Sequence, residues 1–469
     1  MNTGPSQHGI VPISKKNTFL IGVLTILTFH LSFFPGWGVA SVVFLAGIWL
    51  LSTRGELVPR RPFDFGIVFG FCLYAPQLQF FWTIFGAGSL ALWMVLAFWM
   101  ACYFHSAQRW AGQLEFKIKI LLIPCLWIGF EYFRSELYPL RFSWAIPGYA
   151  LAHTPVLLPG ISFGVYGYAF VVLGIFSVME LVRLKSRWMI FHPTLWVLAW
   201  IVSFYCSHPA NQNTFKINEI HVGGVQLEFP GPMEITRALD QLIQKHPNLD
   251  LILLSEYTLD GPVEKNVLDW CKKNQRYLIV GGKDPLPDGK FYNTAFVVGP
   301  SGNIVFKQAK SVPIQFFKDG LPAPEQNVWA SPWGPLGICV CYDLSYTRIT
   351  DTLIRKGSQA LLVPTMDVET WGASQHILAS KVAPVRAREY GVPIFRLCSS
   401  GISQLVDRDG KVTAEAPFPG QEHTIAGSLR LDRNGRLPPD RYLVWVGVII
   451  TVFLALYVLS TKQQVKATF

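Results

Sequence analysis

Leu336-Gly-Ile-Cys-Val-Cys341-Tyr-Asp343 is the stretch that decides the reading of this chain. A short apolar run ending in a turn reads as a buried strand, and the helical pattern Tyr346–Lys356 follows it at once. A thiol delivered to a strand-to-helix turn has the layout of an activated nucleophile. A free thiol titrates near about 8.5, so action near neutrality asks for a neighbouring cation or helix N-terminus. Lys310 and the helix starting near Ser345 are the candidates for that role. The plain alternative is that Cys339 and Cys341 are two buried structural cysteines.

Outward from this stretch, short β-branched runs alternate with helical ones. Glu219–Leu227, Leu249–Leu254, Tyr277–Gly281, Thr294–Val298, Asn303–Lys307, Ala360–Val363, Pro393–Leu397 and Ile402–Val406 read as strands. Glu234–Lys245, Val263–Lys273 and Ser374–Tyr390 read as helices. Pro300-Ser-Gly302 and Asp407-Arg-Asp-Gly410 are turn signals between paired strands. Strand followed by helix, repeated, implies an α/β domain.

Two more strand ends in this domain carry reactive side chains. Leu251-Ile-Leu-Leu-Ser-Glu256 runs an apolar strand into a carboxylate, a layout suited to a general base. The bland reading is that Glu256 caps the helix near Pro262–Lys273. Asn303-Ile-Val-Phe-Lys-Gln-Ala-Lys310-Ser-Val-Pro313 places lysines after a strand, where an ammonium can stabilise an oxyanion. Lys307 and Lys310 both compete for that role, and a solvated strand-end lysine is the ordinary fate of either.

The rest of the chain has a different solvent. Over 469 residues only 15% are charged and 51% are hydrophobic, with 34 Phe and 16 Trp, which points to lipid around part of the chain. Eight apolar stretches are read as spans: Thr18–Pro35, Gly38–Leu51, Phe65–Phe81, Ser89–Phe104, Ile118–Phe133, Ile161–Val182, Trp188–Cys206 and Tyr442–Ser460. Basic residues cluster in alternate loops and at the ends: Lys15 and Lys16; Arg54, Arg60 and Arg61; Arg109, Lys117 and Lys119; Arg183, Lys185 and Arg187; Lys462 and Lys466. Short loops on the opposite side hold only Arg134 and Arg141. That asymmetry predicts cytoplasmic termini and an extracytoplasmic segment from about Ser207 to Asp440. It also accounts for the net charge of +10 without nucleic acid, because the excess forms no single patch. The eight cysteines form no CxxC pair and no zinc spacing, so a metal site and a disulfide scaffold are disfavoured and the thiols are read as reduced.

Glu, then Lys, then Cys, each at a strand end, resembles the nitrilase (carbon–nitrogen hydrolase) superfamily. Tyr292-Asn-Thr294, Gly302, Arg386-Ala-Arg-Glu389, Pro393, Arg396 and Gly401-Ile-Ser403 are similar to it as well, so the likeness runs from Ile217 to Leu431. Seven spans before the domain and one after it look like the apolipoprotein N-acyltransferase family. Phe142-Ser-Trp144, Gly148-Tyr149, Gly164-Val-Tyr-Gly167, Thr365-Met-Asp367, Trp371-Gly372 and Gln375-His376 resemble that family's motifs.

The resemblance implies a membrane α-helical bundle of about eight spans plus an α/β nitrilase-like soluble domain, an α-β-β-α sandwich. Its units are residues 1–206 (seven spans), 207–440 (periplasmic catalytic domain) and 441–469 (last span and cytoplasmic tail) of a bacterial inner-membrane protein. By the same likeness Glu256 is the general base, Lys310 the oxyanion stabiliser and Cys341 the nucleophile. Phe316, Phe317, Trp371 and Asp343 are the residues expected to meet substrate, the first three by contacting acyl chains or the bilayer interface. Asp343 stands where the family usually has Glu, and Lys310-Ser-Val-Pro-Ile-Gln-Phe-Phe replaces a run that ends in an acidic residue. The implied reaction moves an acyl chain from a phospholipid through a cysteine thioester to the α-amine of a diacylglyceryl-cysteine lipoprotein, in a monomer without cofactor or metal. A membrane-tethered amidase or nitrilase shares the triad but lets water take the thioester. A sensor or transport accessory protein shares only the fold.

Overall fold

The computed structural model describes residues 15–58, 60–207 and 218–467. The start of the expected soluble segment, 208–217, and the side chains of Lys15, Lys16, Cys206, Lys462 and Lys466 lie outside the described residues.

The N-terminal body is helical: α1 Lys15–Ser32, α2 Ala40–Thr53, α3 Pro62–Gln77, α4 Phe80–Phe85, α5 Gly88–His105, α6 Phe116–Tyr132, α7 Gly167–Arg183 and α8 Phe191–Ser207. A helix overlaps each of the first seven stretches read as spans, and the third ends in the start of a separate short helix, α4. The expected sixth stretch begins later than Ile161, because Leu158–Phe163 forms a 3-10 turn and Gly164, at φ +100°, breaks it from α7. Among the described residues, two helical segments are long and apolar enough to cross a membrane by length and composition, Gly88–Gln113 and Asp440–Ser460. Helices pack closely where glycine removes the side chain. A Cβ on Gly70 in α3 would lie 2.7 Å from the Ala97 Cα of α5, so the two backbones touch.

The α/β domain follows, with β1 Asn218–Val225, α9 Pro232–Lys245, β2 Leu251–Leu253, α10 Lys265–Asn274, β3 Tyr277–Pro285, β4 Phe291–Val298 and β5 Ile304–Ala309. It continues through β6 Val328–Ser331, β7 Gly334–Ile338, α11 Thr347–Arg355, β8 Ala360–Thr365, α12 Ala373–Ala379, α13 Val382–Tyr390, β9 Ile394–Cys398, β10 Ser403–Val406, β11 Val412–Ala416 and β12 Thr424–Leu431. The last helix, α14 Asp440–Ala467, returns to the helical body against α6, where Gly129 and Gly447 meet backbone to backbone.

The strands form two six-stranded sheets, ordered β12-β1-β2-β3-β4-β5 and β11-β10-β9-β8-β7-β6. Each has a parallel centre, β1-β2-β3 and β7-β8-β9, and β2, β8 and β9 are buried along their whole length, as parallel strands covered on both faces are. Val222, Leu253 and Ile279 of one sheet pack with Ile338, Leu362 and Phe395 of the other. Leu239 and Trp270 bring α9 and α10 onto the outside of the first sheet. Leu353 and Val385 bring α11 and α13 onto the second, in a core continuous with the helical body. The layers are helix, sheet, sheet and helix.

Three expectations need correction. The strand read in the Leu336–Asp343 stretch ends at Ile338, and the chain turns before Cys341. The helix read as Ser374–Tyr390 is two helices, α12 and α13. Pro384 lacks the N–H needed in a helix interior and fits the first turn of a new one. Strands β6, β11 and β12 were not read at all.

Candidate active site

Strand β2 is the middle strand of the first sheet's parallel trio and β7 an outer strand of the second's, and the chain leaves each through a tight turn at its C-terminal end. Glu256 lies three residues past β2 and Cys341 three past β7. Cys341 has φ +52° and Tyr257, next to Glu256, has φ +53°. This left-handed conformation costs a non-glycine residue on the order of 1–3 kcal/mol, and such strain is held where surrounding packing imposes it. Gly281 of β3 is part of that packing. A Cβ there would sit 2.5 Å from the Glu256 Cα and 2.7 Å from the Ser255 carbonyl, so only glycine lets β3 approach the turn.

Lys310 follows directly on β5 and is fully buried. Its Nζ lies 2.8 Å from Glu256 Oε1 and 2.7 Å from Asp319 Oδ2. Lys307 instead pairs with Asp284 near the surface, at 2.9 Å. The geometry thus separates the two lysines that the sequence left in competition. Asn293 Nδ2 donates to Glu256 Oε1 at 2.6 Å and to Asp319 Oδ1 at 2.7 Å, and the Met366 N–H donates to Glu256 Oε2 at 2.8 Å. Every oxygen of Glu256 is engaged, so its orientation is set. It does not cap α10, whose N-cap is Glu264.

The Cys341 thiol is partly buried, donates weakly to the Met366 carbonyl at 3.9 Å and has the Glu256 carboxylate beside it. Burial and the Glu256 carboxylate push this thiol well above its ordinary range, and the Lys310 ammonium offsets only part of that. Burial by itself would lower Lys310, but Glu256, Cys341 and Asp319 outweigh it and hold the ammonium charged. The expected activation by a helix N-terminus is therefore corrected. Helix α11 points its Thr347 N–H at Glu136 Oε1, 2.9 Å away, and does not serve the sulfur. With its pKa raised, Cys341 is a protonated thiol at neutrality. Glu256 is the acceptor within reach.

Asp319 was missed. The stretch after Lys310 was read as lacking its acidic member, yet Asp319 follows Lys310 by nine residues and ion-pairs with it. Its Oδ2 also accepts the Ile314 N–H at 2.6 Å, and its Oδ1 the Tyr257 hydroxyl at 2.9 Å. The Asp319-Gly320 pair was the available signal. Gly320, at φ +79°, lets the loop fold back against Asn293. Asp343 is a second correction. It is fully buried, and its carboxylate accepts the Ser311 and Val312 N–H groups at 2.9 and 2.8 Å. Burial raises its carboxyl to about 7 against those donors and Lys310. It ties the nucleophile turn to the lysine loop and is not among the residues lining the cavity.

That cavity, about 140 Å³, opens beside Tyr342 and is built jointly by both units. Phe81, Phe85 and Leu92 contribute from the helical body, and Phe316, Phe317 and Trp371 from loops of the α/β domain. Phe85 packs edge-on against both Phe316 and Phe317, with ring centres 6.1 and 5.9 Å apart. A smaller pocket of about 40 Å³ touches Cys341 itself, with Asp367 and Arg396 paired on its wall. Among the described residues no group of His, Cys, Asp and Glu is arranged to hold a metal ion. The arrangement can carry out acyl transfer through a thioester: a thiol, a carboxylate beside it, a buried ammonium, and an apolar slot alongside.

Residues 221–438 match the carbon-nitrogen hydrolase family, which sets the class of this domain. An omega-amidase of Xenopus laevis is 33% identical over 200 residues, covering 38% of this chain and 70% of its own. Residues 21–178 match the apolipoprotein N-acyltransferase N-terminal domain. Apolipoprotein N-acyltransferases of Geobacter metallireducens and Shewanella oneidensis are each 24% identical, over 89% and 85% of this chain and 90% and 86% of their own lengths. A solved relative, Nit3 of Saccharomyces cerevisiae, superposes with a TM-score of 0.39 at 22% identity, covering 46% of this chain and 90% of its own. The chain belongs to the apolipoprotein N-acyltransferase family of the nitrilase superfamily, and it is an acyltransferase.

Proposed function

We propose that this protein takes a fatty acyl chain from a phospholipid onto Cys341 and passes it to the α-amine of a diacylglyceryl-cysteine lipoprotein. The observation that carries the reading is the meeting of Cys341, Glu256 and Lys310 next to an aromatic cavity that the helical body helps to build. In the first half-reaction Glu256 takes the thiol proton, the sulfur attacks the ester carbonyl, and the lysophospholipid alkoxide leaves with that proton. The amine then attacks the thioester, Glu256 accepts its proton, and Cys341 is regenerated as a thiol. Lys310, with backbone N–H groups after Cys341, stabilises each oxyanion, and one such donor is worth about 3–4 kcal/mol.

Both substrates are held in lipid by their chains at about 0.8 kcal/mol per buried methylene, so an enzyme fixed at the bilayer surface avoids extracting them. On this reading the chain crosses the bacterial inner membrane eight times, works as a monomer and holds its α/β domain, residues 207–440, in the periplasm. Contacts within the helical body support that orientation. Arg54 pairs with Glu180 and Lys119 donates to the Thr53 carbonyl, which gathers the basic loops at one end. The α/β domain docks on the loops at the other end, where Trp144 donates to Ser345 and the Val165 N–H to Glu389. Mass spectrometry of the purified chain after incubation with phospholipid tests the proposal. An acyl adduct on the wild type and none on Cys341→Ala is the expected result. An unmodified wild type overturns it.

A further inference from the structure

The larger cavity, beside Tyr342, is lined by apolar and aromatic side chains, amides and tyrosines, and among the described residues Arg141 is the only charged one on its wall. Arg134, Arg386, Arg396 and Arg441 each pair with a carboxylate, but among the described residues no carboxylate pairs with Arg141. Its Nε is buried without a hydrogen-bond partner, and its guanidinium lies over the Tyr346 ring at 5.1 Å. Tyr346 in turn meets Tyr342, the residue after the nucleophile, with ring centres 4.9 Å apart. Two other donors on the wall are already committed. Trp144 Nε1 donates to Ser345, and Gln375 Nε2 to Asp367. A cation in an apolar slot without a counter-ion is costly unless an anion arrives with the ligand.

We propose that Arg141 is the site for the phosphodiester of the acyl donor. A guanidinium offers a planar fork that matches two phosphate oxygens, and it is weakly hydrated, so it suits a half-buried site. In a glycerophospholipid the ester carbonyl and the phosphorus are separated only by the glycerol backbone. Arg141 is separated from Tyr342 by a single ring, so ester and phosphate reach their sites together. The proposal rests on the acyl-transfer reading above and gives it a specificity. Donor and acceptor both present acyl chains and a glycerol, but only the donor carries a phosphate at that distance. Arg141 thus tells which lipid is to be cleaved, and it holds the phosphate-bearing lysophospholipid as it leaves.

The test compares two donors of one acyl chain on the full-length protein in mixed micelles, phosphatidylethanolamine and a p-nitrophenyl ester that lacks phosphate. Thioester formation is followed for the wild type, Arg141→Gln and Arg141→Lys. We expect the phospholipid-to-nitrophenyl-ester ratio of kcat/KM to fall about tenfold or more in Arg141→Gln, as for one charge-assisted hydrogen bond, and to recover partly in Arg141→Lys. Equal losses on both donors, or none, overturn the proposal. Inorganic phosphate is the control for source. If it inhibits as well as a lysophospholipid does, the site is one for free phosphate and the proposal is wrong. A wild type that forms no adduct from phospholipid removes the acyl-transfer reading itself, a different outcome from an unchanged ratio.

Discussion

The junction between helical body and α/β domain and the candidate active site both bury several charges, and they dispose of them differently. At the junction Arg441 reaches Asp351, Glu389 and Asp440 at 2.9, 3.0 and 2.6 Å, and Arg386 closes on Glu389. The carboxylates spend their remaining capacity on loop amides of the helical body, Asp440 on Tyr166 and Gly167, Glu389 on Val165. Nothing there is left to react, and the charges lock two units together. Around Lys310 the pairing is as dense, but one carboxylate, Glu256, also lies beside the Cys341 thiol. A small cavity lies beside that thiol. Buried charge alone therefore does not mark the site. A proton that can move, next to space for a substrate, does.

Substitutions should separate the two clusters. Glu256→Gln removes the base and is expected to lower acyl transfer roughly 10³-fold, measured as adduct formation. Activity within tenfold of wild type would erase the distinction. Arg441→Ala strips the counter-charge from buried carboxylates and should cost about 3–5 kcal/mol in thermal unfolding, while the folded fraction still acylates. A stable but inactive Arg441→Ala protein would make the junction part of the chemistry. Asp319→Asn keeps the shape but removes one of the two anions on Lys310. It should reduce turnover about 10- to 100-fold, in line with a charged hydrogen bond worth about 1.5–3 kcal/mol.

The smallest effect concerns pH. The thiol of Cys341 is raised, so its thiolate is scarce at neutrality and grows as pH climbs. Its alkylation by iodoacetamide should increase about tenfold per pH unit past about 8.5, where an ordinary cysteine levels off. A plateau near neutrality would mean an already ionised sulfur and no need for Glu256.

Much of the α/β domain was legible. The runs around β2, β3, β8 and β9 are continuous apolar stretches, and such stretches have few other fates. Strand β11 was not, because it is a half-exposed edge strand without such a run, and β12 pairs with β1 across the whole domain. Glu256 and Cys341 were readable from apolar strands running into reactive side chains. Asp319 was hidden in a loop whose length, not its composition, brings it back to Lys310. Asp343 looked like a substrate residue because it neighbours the nucleophile, but its side chain turns inward to two backbone N–H groups.

The chain by itself determined which elements form, in what order, and which reactive groups end them, because periodicity and turn chemistry act over a few neighbouring residues. The tertiary structure alone decided that Lys310 and not Lys307 meets Glu256, 54 positions away, and that the Met366 amide meets it from 110 positions away. It also decided that helices near Phe81 and loops near Phe316 close one cavity. Such encounters depend on how whole layers pack, and no local pattern encodes which loops will face each other.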